Sequence, residues 1–154
     1  VALILSAILS LAPWLPRPTA RTYAQYIRDV SERTKIHPFL FVAFATVESS
    51  WNPDARSSTG DWGLFQVHVA KRGSARFLGR ERELLKPAVN TREWGRIASM
   101  WRAYHDRTCK PGSHRWWAHL KYGYLVKDEG HAMIVGAIFD TLIKRFKVPA
   151  RGET

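Results

Sequence analysis

The chain has 154 residues, with 24 Lys or Arg against 13 Asp or Glu and a formal net charge of +11. Hydrophobic residues make up 45%, which excludes a disordered polar chain and suits one domain whose core needs no disulfide staples. The lone Cys109 rules out an internal disulfide. The positive field favours a polyanionic partner without choosing among nucleic acid, anionic lipid and a carboxylate-rich cell wall.

Residues 1–12 are almost wholly apolar, and Pro13-Trp14-Leu15-Pro16-Arg17-Pro18 interrupts them. Twelve residues are too few to cross a bilayer, which takes about 20. They match the apolar middle of a secretory signal; a buried N-terminal helix and a short membrane anchor are the other readings. Residues 1–18 are therefore set apart as a signal-peptide-like or membrane-proximal segment, and residues 19–150 as the folded domain. In that domain Tyr23, Tyr26, Ile27, Val30 and Thr34 recur at helical spacing, with Thr22 and Gln25 spaced as a capping box. His37-Pro38 closes that helix and opens the next, since proline suits a first helical turn. Residues 39–47 are apolar on nearly every face and predict a helix at the centre of the fold, stopped by Asn52-Pro53.

Residues 54–90 are rich in Gly, Ser, Asp and Arg and show no long period, which predicts loops with short helices or a small hairpin. Asn90-Thr91-Arg92-Glu93 has the spacing of a helix cap. Trp94, Ile97, Ala98, Trp101 and Tyr104 follow as one apolar stripe. Residues 110–113 break it, and a short helix runs through Trp116 and Leu120. A last helix starting near Asp128 turns Val135, Ile138, Phe139, Leu142, Ile143 and Phe146 inward, with Lys144, Arg145 and Lys147 at its negative end. The prediction is a mainly α fold, α+β at most, with a minor hairpin or loop region beside a cleft.

Glu48 is the most informative residue. It follows directly on the apolar helix, and Trp51 lies one turn further on. A carboxylate there meets the negative end of the helix dipole and loses water on partial burial. Both conditions favour the protonated form that a general acid needs.

The residues after it read Glu48-Ser49-Ser50-Trp51-Asn52-Pro53-Asp54-Ala55-Arg56-Ser57-Ser58-Thr59-Gly60-Asp61-Trp62-Gly63-Leu64-Phe65-Gln66. Gly60 and Gly63 allow sharp turns and a close backbone approach to a ligand, Ser57 supplies a hydroxyl, and Gln66 an amide that both donates and accepts. The stretch resembles the signature of the soluble lytic transglycosylase domain of the lysozyme-like superfamily. In that family Glu-Ser precedes an Asn-Pro-x-Ala-x-Ser turn and then Gly-Ala-x-Gly-Leu-x-Gln. Glu48, Ser49, Asn52, Pro53, Ala55, Ser57, Gly60, Gly63, Leu64 and Gln66 fall at the family spacing, whereas Asp61 stands where the family usually has Ala. Lys86-Pro87-Ala88-Val89-Asn90 is a weaker match to a Pro and an Asn before a helix. The family's Ala-Tyr-Asn-x-Gly segment is represented by Ala118-His119-Leu120-Lys121-Tyr122-Gly123-Tyr124. If Gly123 is the matching glycine, Leu120 and Lys121 replace the expected Tyr and Asn, and Tyr122 or Tyr124 takes the tyrosine's place.

The resemblance implies a lysozyme-like domain that cleaves the bond between N-acetylmuramic acid and N-acetylglucosamine in peptidoglycan. It implies Glu48 as the catalytic residue, with Ser57, Gln66, Trp62 and Tyr122 binding substrate. One carboxyl group serves as acid and then as base, closing a 1,6-anhydro ring. Asp61 is a possible second carboxylate, which would make the enzyme a hydrolytic muramidase resembling goose-type lysozymes. A non-catalytic wall-binding module is a third reading, opposed by the joint presence of Glu48, Ser57 and Gln66. Trp51 and Trp62 are open between cleft wall and core. No cofactor or metal site is expected, because none of the six histidines falls in a His-Glu-x-x-His or Cys/His zinc pattern. Peptidoglycan strands are the expected partner, with a secretion, conjugation or phage-entry assembly as the possible setting. Nucleic acid is not expected, since the basic residues are scattered and no motif accompanies them. The expected location is exported, in the periplasm or associated with the cell envelope.

Overall fold

The organising element is a helix, α3 (Pro38–Ser49), around which the others are laid. The structure, a computed structural model, describes residues 1–70, 74–110, 115–119 and 129–149. Pro38 opens α3, where a missing N–H costs nothing. The ring of His37 caps it, Nδ1 accepting the Phe39 N–H at 3.1 Å. Phe39, Leu40, Phe41, Val42, Ala43, Phe44 and Ala45 are all buried, so the unbroken apolar run covers the whole circumference of the helix.

Covering every face requires neighbours on every side. α1 (Ala2–Leu11), α2 (Arg17–Thr34) and α5 (Glu129–Phe146) pack on α3. From α4 (Pro87–Thr108), Trp94 reaches Phe41 and Phe44 at ring-centroid distances of 4.6 and 4.9 Å. α2 and α4 lie close together because position 95 is glycine: a Cβ there would collide with the Val30 side chain. The inner face of α1 buries Ile4, Leu5, Ala7 and Ile8. Among the described residues no helix is long and apolar enough to cross a membrane.

Several helix boundaries differ from the sequence expectation. α2 starts at Arg17, ahead of the proposed capping box, because Pro18 fits its first turn. Thr22 lies inside the helix and donates back to the Pro18 carbonyl at 3.1 Å. α4 starts at Pro87 rather than at Asn90, so Asn90 and Glu93 are free for other work. Its apolar stripe fades: Trp94 and Ala98 are buried, while Tyr104 is 39% exposed where the helix runs past the core. α3 ends before Asn52-Pro53, through Ser50 and Trp51 at φ of 50° and 68°. That left-handed turn sends Trp51 back into the core, stacked on Tyr23 at 6.0 Å with its Nε1 donating to Thr46 Oγ1 at 3.1 Å.

Trp116–His119 is a short 3-10 turn whose two tryptophans are buried. α5 buries Val135, Phe139 and Leu142, with Ile138, Ile143 and Phe146 partly covered, as its periodicity predicts. Leu120 and Asp128 lie outside the described residues. The stretch before α4 contains one antiparallel pair, β1 (Asp61–Trp62) and β2 (Val67–His68), with Asp61 opposite His68 and Trp62 opposite Val67. Arg56 forms a single antiparallel bridge with Trp62 beside this two-stranded pair. Among the described residues the architecture is mainly α with this one minor sheet, in keeping with a lysozyme-like fold.

Candidate active site

Two buried apolar residues anchor the loop between β1 and β2. Leu64 and Phe65 are inserted into the core, Phe65 packing against Trp94 at 5.0 Å and Phe41 at 6.0 Å. Asn90, fully buried on the first turn of α4, holds the loop's backbone. Its Nδ2 donates to the carbonyls of Trp62 at 2.7 Å and Leu84 at 2.9 Å, and its Oδ1 accepts the Phe65 N–H at 2.9 Å. Gly63, at φ 75°, passes so close to Leu84 and Asn90 that any Cβ would collide with both. The close approach expected toward a ligand is, for this glycine, to the protein's own Leu84 and Asn90.

The same loop is tied to the end of α3. Ser49 Oγ donates to the Leu64 carbonyl at 2.8 Å, so the residue next to Glu48 is joined directly to the hairpin. Glu48 itself occupies the last turn of α3 and is half-buried. The local cause is the unbroken apolar run, which drives α3 through the core and brings its end to the edge of the hairpin.

Pairing of Arg56 with Trp62, and of Asp61 with His68, gives the hairpin and its flanking bridge two faces. On one face lie Arg56, Trp62 and Val67. The Arg56 guanidinium lies 4.9 Å from the centre of the half-buried Trp62 ring, within cation–π range. On the other face lie Ser57, Asp61 and His68. Ser57 Oγ donates to Asp61 Oδ2 at 2.6 Å and accepts the Asp61 N–H at 2.9 Å. Thr59 Oγ1 donates to the same oxygen at 2.8 Å, and His68 Nδ1 lies 2.9 Å from Asp61 Oδ1. Burial pushes the Asp61 carboxyl up, but the Ser57, Thr59 and His68 contacts outweigh it and hold the group below the usual carboxylate range. Asp61 is thus an ionised knot at the end of the β1–β2 pair away from the 63–66 loop.

Gln66 sits at φ 44° and closes the loop on itself, its Nε2 donating to the carbonyls of Gly63 at 2.9 Å and Ala55 at 3.2 Å. Of the predicted site residues, Ser57 and Asp61 are joined on one face of the hairpin, Trp62 lies on the other, Gln66 closes its loop, and Ser49 ties the hairpin to the end of α3 that carries Glu48. The Ser57 hydroxyl is spent within the hairpin, on Asp61. Tyr122, and Tyr124 with it, lies outside the described residues. Three participants were not singled out from the sequence as site residues: Asn90, His68 and Arg56. For Asn90 the signal was the weak Pro-Asn match before α4.

Glu48 is thus a half-buried carboxyl group at a helix end, next to the residue that fastens a loop of fixed backbone. No curated protein and no solved structure matches the chain. Residues 25–93, from within α2 to the first turns of α4, match the family model described as Transglycosylase SLT domain, and over that stretch the chain is similar to that family.

Proposed function

We propose that this domain cleaves the β-1,4 bond between N-acetylmuramic acid and N-acetylglucosamine in peptidoglycan, with Glu48 as the catalytic group. The observation that carries the reading is the position of Glu48: half-buried in the last turn of α3, next to the Ser49 bond that fastens the signature loop. The Glu48 carboxyl protonates the bridging oxygen as the bond from that oxygen to C1 of the muramic acid breaks. Its carboxylate then takes the proton of the same sugar's 6-hydroxyl, whose oxygen bonds to C1. The products are a free 4-hydroxyl on the leaving glycan and a 1,6-anhydromuramyl end, with Glu48 protonated again. Trp62, with Arg56 across its ring, offers a flat wall for a sugar face. Because the substrate lies in the envelope, we place the protein there, exported to act on glycan strands.

A hydrolytic course would require a second carboxylate to activate water, about 5–10 Å from the first. Both oxygens of Asp61 already accept hydrogen bonds from the hairpin, which favours the single-carboxyl course. Mass spectrometry of digested peptidoglycan tests the choice. Muropeptides ending in 1,6-anhydromuramic acid are expected. Reducing ends would make the enzyme a hydrolase, and intact glycan would make the domain a binding module.

A further inference from the structure

The corner between α1 and α2 presents a surface that glycan cleavage does not use. Residues 1–16 contain no charged side chain and residues 1–28 no carboxylate side chain, while Arg17, Arg21 and Arg28 fall in the second half of that stretch. Opposite the buried face of α1, the exposed Ala2, Leu3 and Ser6 and the half-exposed Leu9 and Ser10 recur every three to four residues, forming one outward stripe. The stripe leads to Trp14, 64% exposed in the turn after α1. Arg17 and Arg21, one helical turn apart, are exposed at the start of α2.

A surface helix in water normally turns charged residues outward; α1 turns none. An uncharged helix face ending in an exposed indole, with guanidinium groups beside it, suits a bilayer surface. The indole sits at headgroup level, small and apolar side chains meet the acyl boundary, and arginines pair with lipid phosphate. We infer that this corner docks on an anionic lipid surface. Charge selects that occupant. Arg17 and Arg21 face a phosphate layer with no neighbouring acid in the first 28 residues, and Arg28 is turned to Asp29 and Glu32. A two-fold contact with a second copy would instead set the same arginines against their own kind. The docking is independent of the glycan reading, and neither stands or falls with the other.

Co-sedimentation of the full chain with vesicles of phosphatidylglycerol and phosphatidylcholine, against phosphatidylcholine alone, tests it. Binding is expected to the anionic vesicles and to weaken with salt. Arg17→Glu with Arg21→Glu should lower the affinity at least tenfold, and Trp14→Ser several-fold, both with unchanged circular dichroism. Arg33→Glu with Lys35→Glu makes the same change in net charge at the far end of α2 and should retain most of the binding. Failure to bind anionic vesicles would overturn the inference. So would equal losses in the two charge-reversed variants, or a dimer in sedimentation velocity that Trp14→Ser dissolves.

Discussion

Replacing Asn90 by Ala should unfasten the signature loop, and the structure sets the size of the effect. The side chain is fully buried and makes three bonds to backbone groups, of Trp62, Leu84 and Phe65, all at 2.7–2.9 Å. A buried backbone group left without a partner costs about 1–3 kcal/mol, and the Trp62 contact is only partly buried. The expected loss is therefore about 3–5 kcal/mol, a large share of the ~5–15 kcal/mol of a whole domain. For a chain of this size that corresponds to a fall of roughly 6–20 °C in Tm. Asn90→Asp sharpens the test. It keeps an acceptor for the Phe65 N–H but turns a carboxylate oxygen on two carbonyl oxygens. It should be less stable than Asn90→Ala at pH 7 and recover relative to wild type at pH 4, where a protonated carboxyl can donate to one carbonyl. Urea unfolding of the three proteins at both pH values measures this. A loss below about 1 kcal/mol for Asn90→Ala, or an Asp variant indifferent to pH, would refute the clamp.

Glu93 supplies a pH prediction. Its buried carboxylate accepts Ser74 Oγ at 2.7 Å and both Arg76 and Arg96. Burial pushes this carboxyl up, but the Arg96 and Ser74 hydrogen bonds and the two guanidinium charges prevail and hold it below the ordinary glutamate range. Folding lowers its pKa, so its contribution is present above the unfolded value and is lost as pH falls through the folded one. Wild-type stability should drop more steeply on acidification than that of Glu93→Gln; parallel curves from thermal melts would contradict this. Ile8→Ala, at a site with no exposed surface on α1, should cost about 2–4 kcal/mol in urea unfolding, and a near-neutral result would mean that α1 is not part of the core.

The sequence made α3 legible because one local pattern, a proline start followed by an unbroken apolar run, admits little besides a central helix. The position of Glu48 followed from where that run stops. The periodicity of α5 was equally local. The hairpin's internal logic was not legible, because it depends on partners distant along the chain. Asn90 meets two of its three partners 25 and 28 residues away, so its side chain looked like a helix cap when read locally. Glu93 looked like part of the same cap, although it is the buried partner of Arg76, 17 residues earlier. Asp61 stood out as an extra acid, but its bond to His68 across the strands, which assigns it to the hairpin, depends on register. Trp51 was open between wall and core until the left-handed turn at Ser50 sent it inward.

The central claim is that one carboxyl group, on Glu48, does the proton transfers. It is tested most directly by comparing the rates at which wild type and Glu48→Gln release soluble muropeptides from purified peptidoglycan, with both proteins shown to unfold at the same temperature. Glutamine keeps the shape of the side chain and removes its acid, so the account predicts a fall on the order of 10²–10⁴ in rate. Release by the variant at the wild-type rate would contradict it.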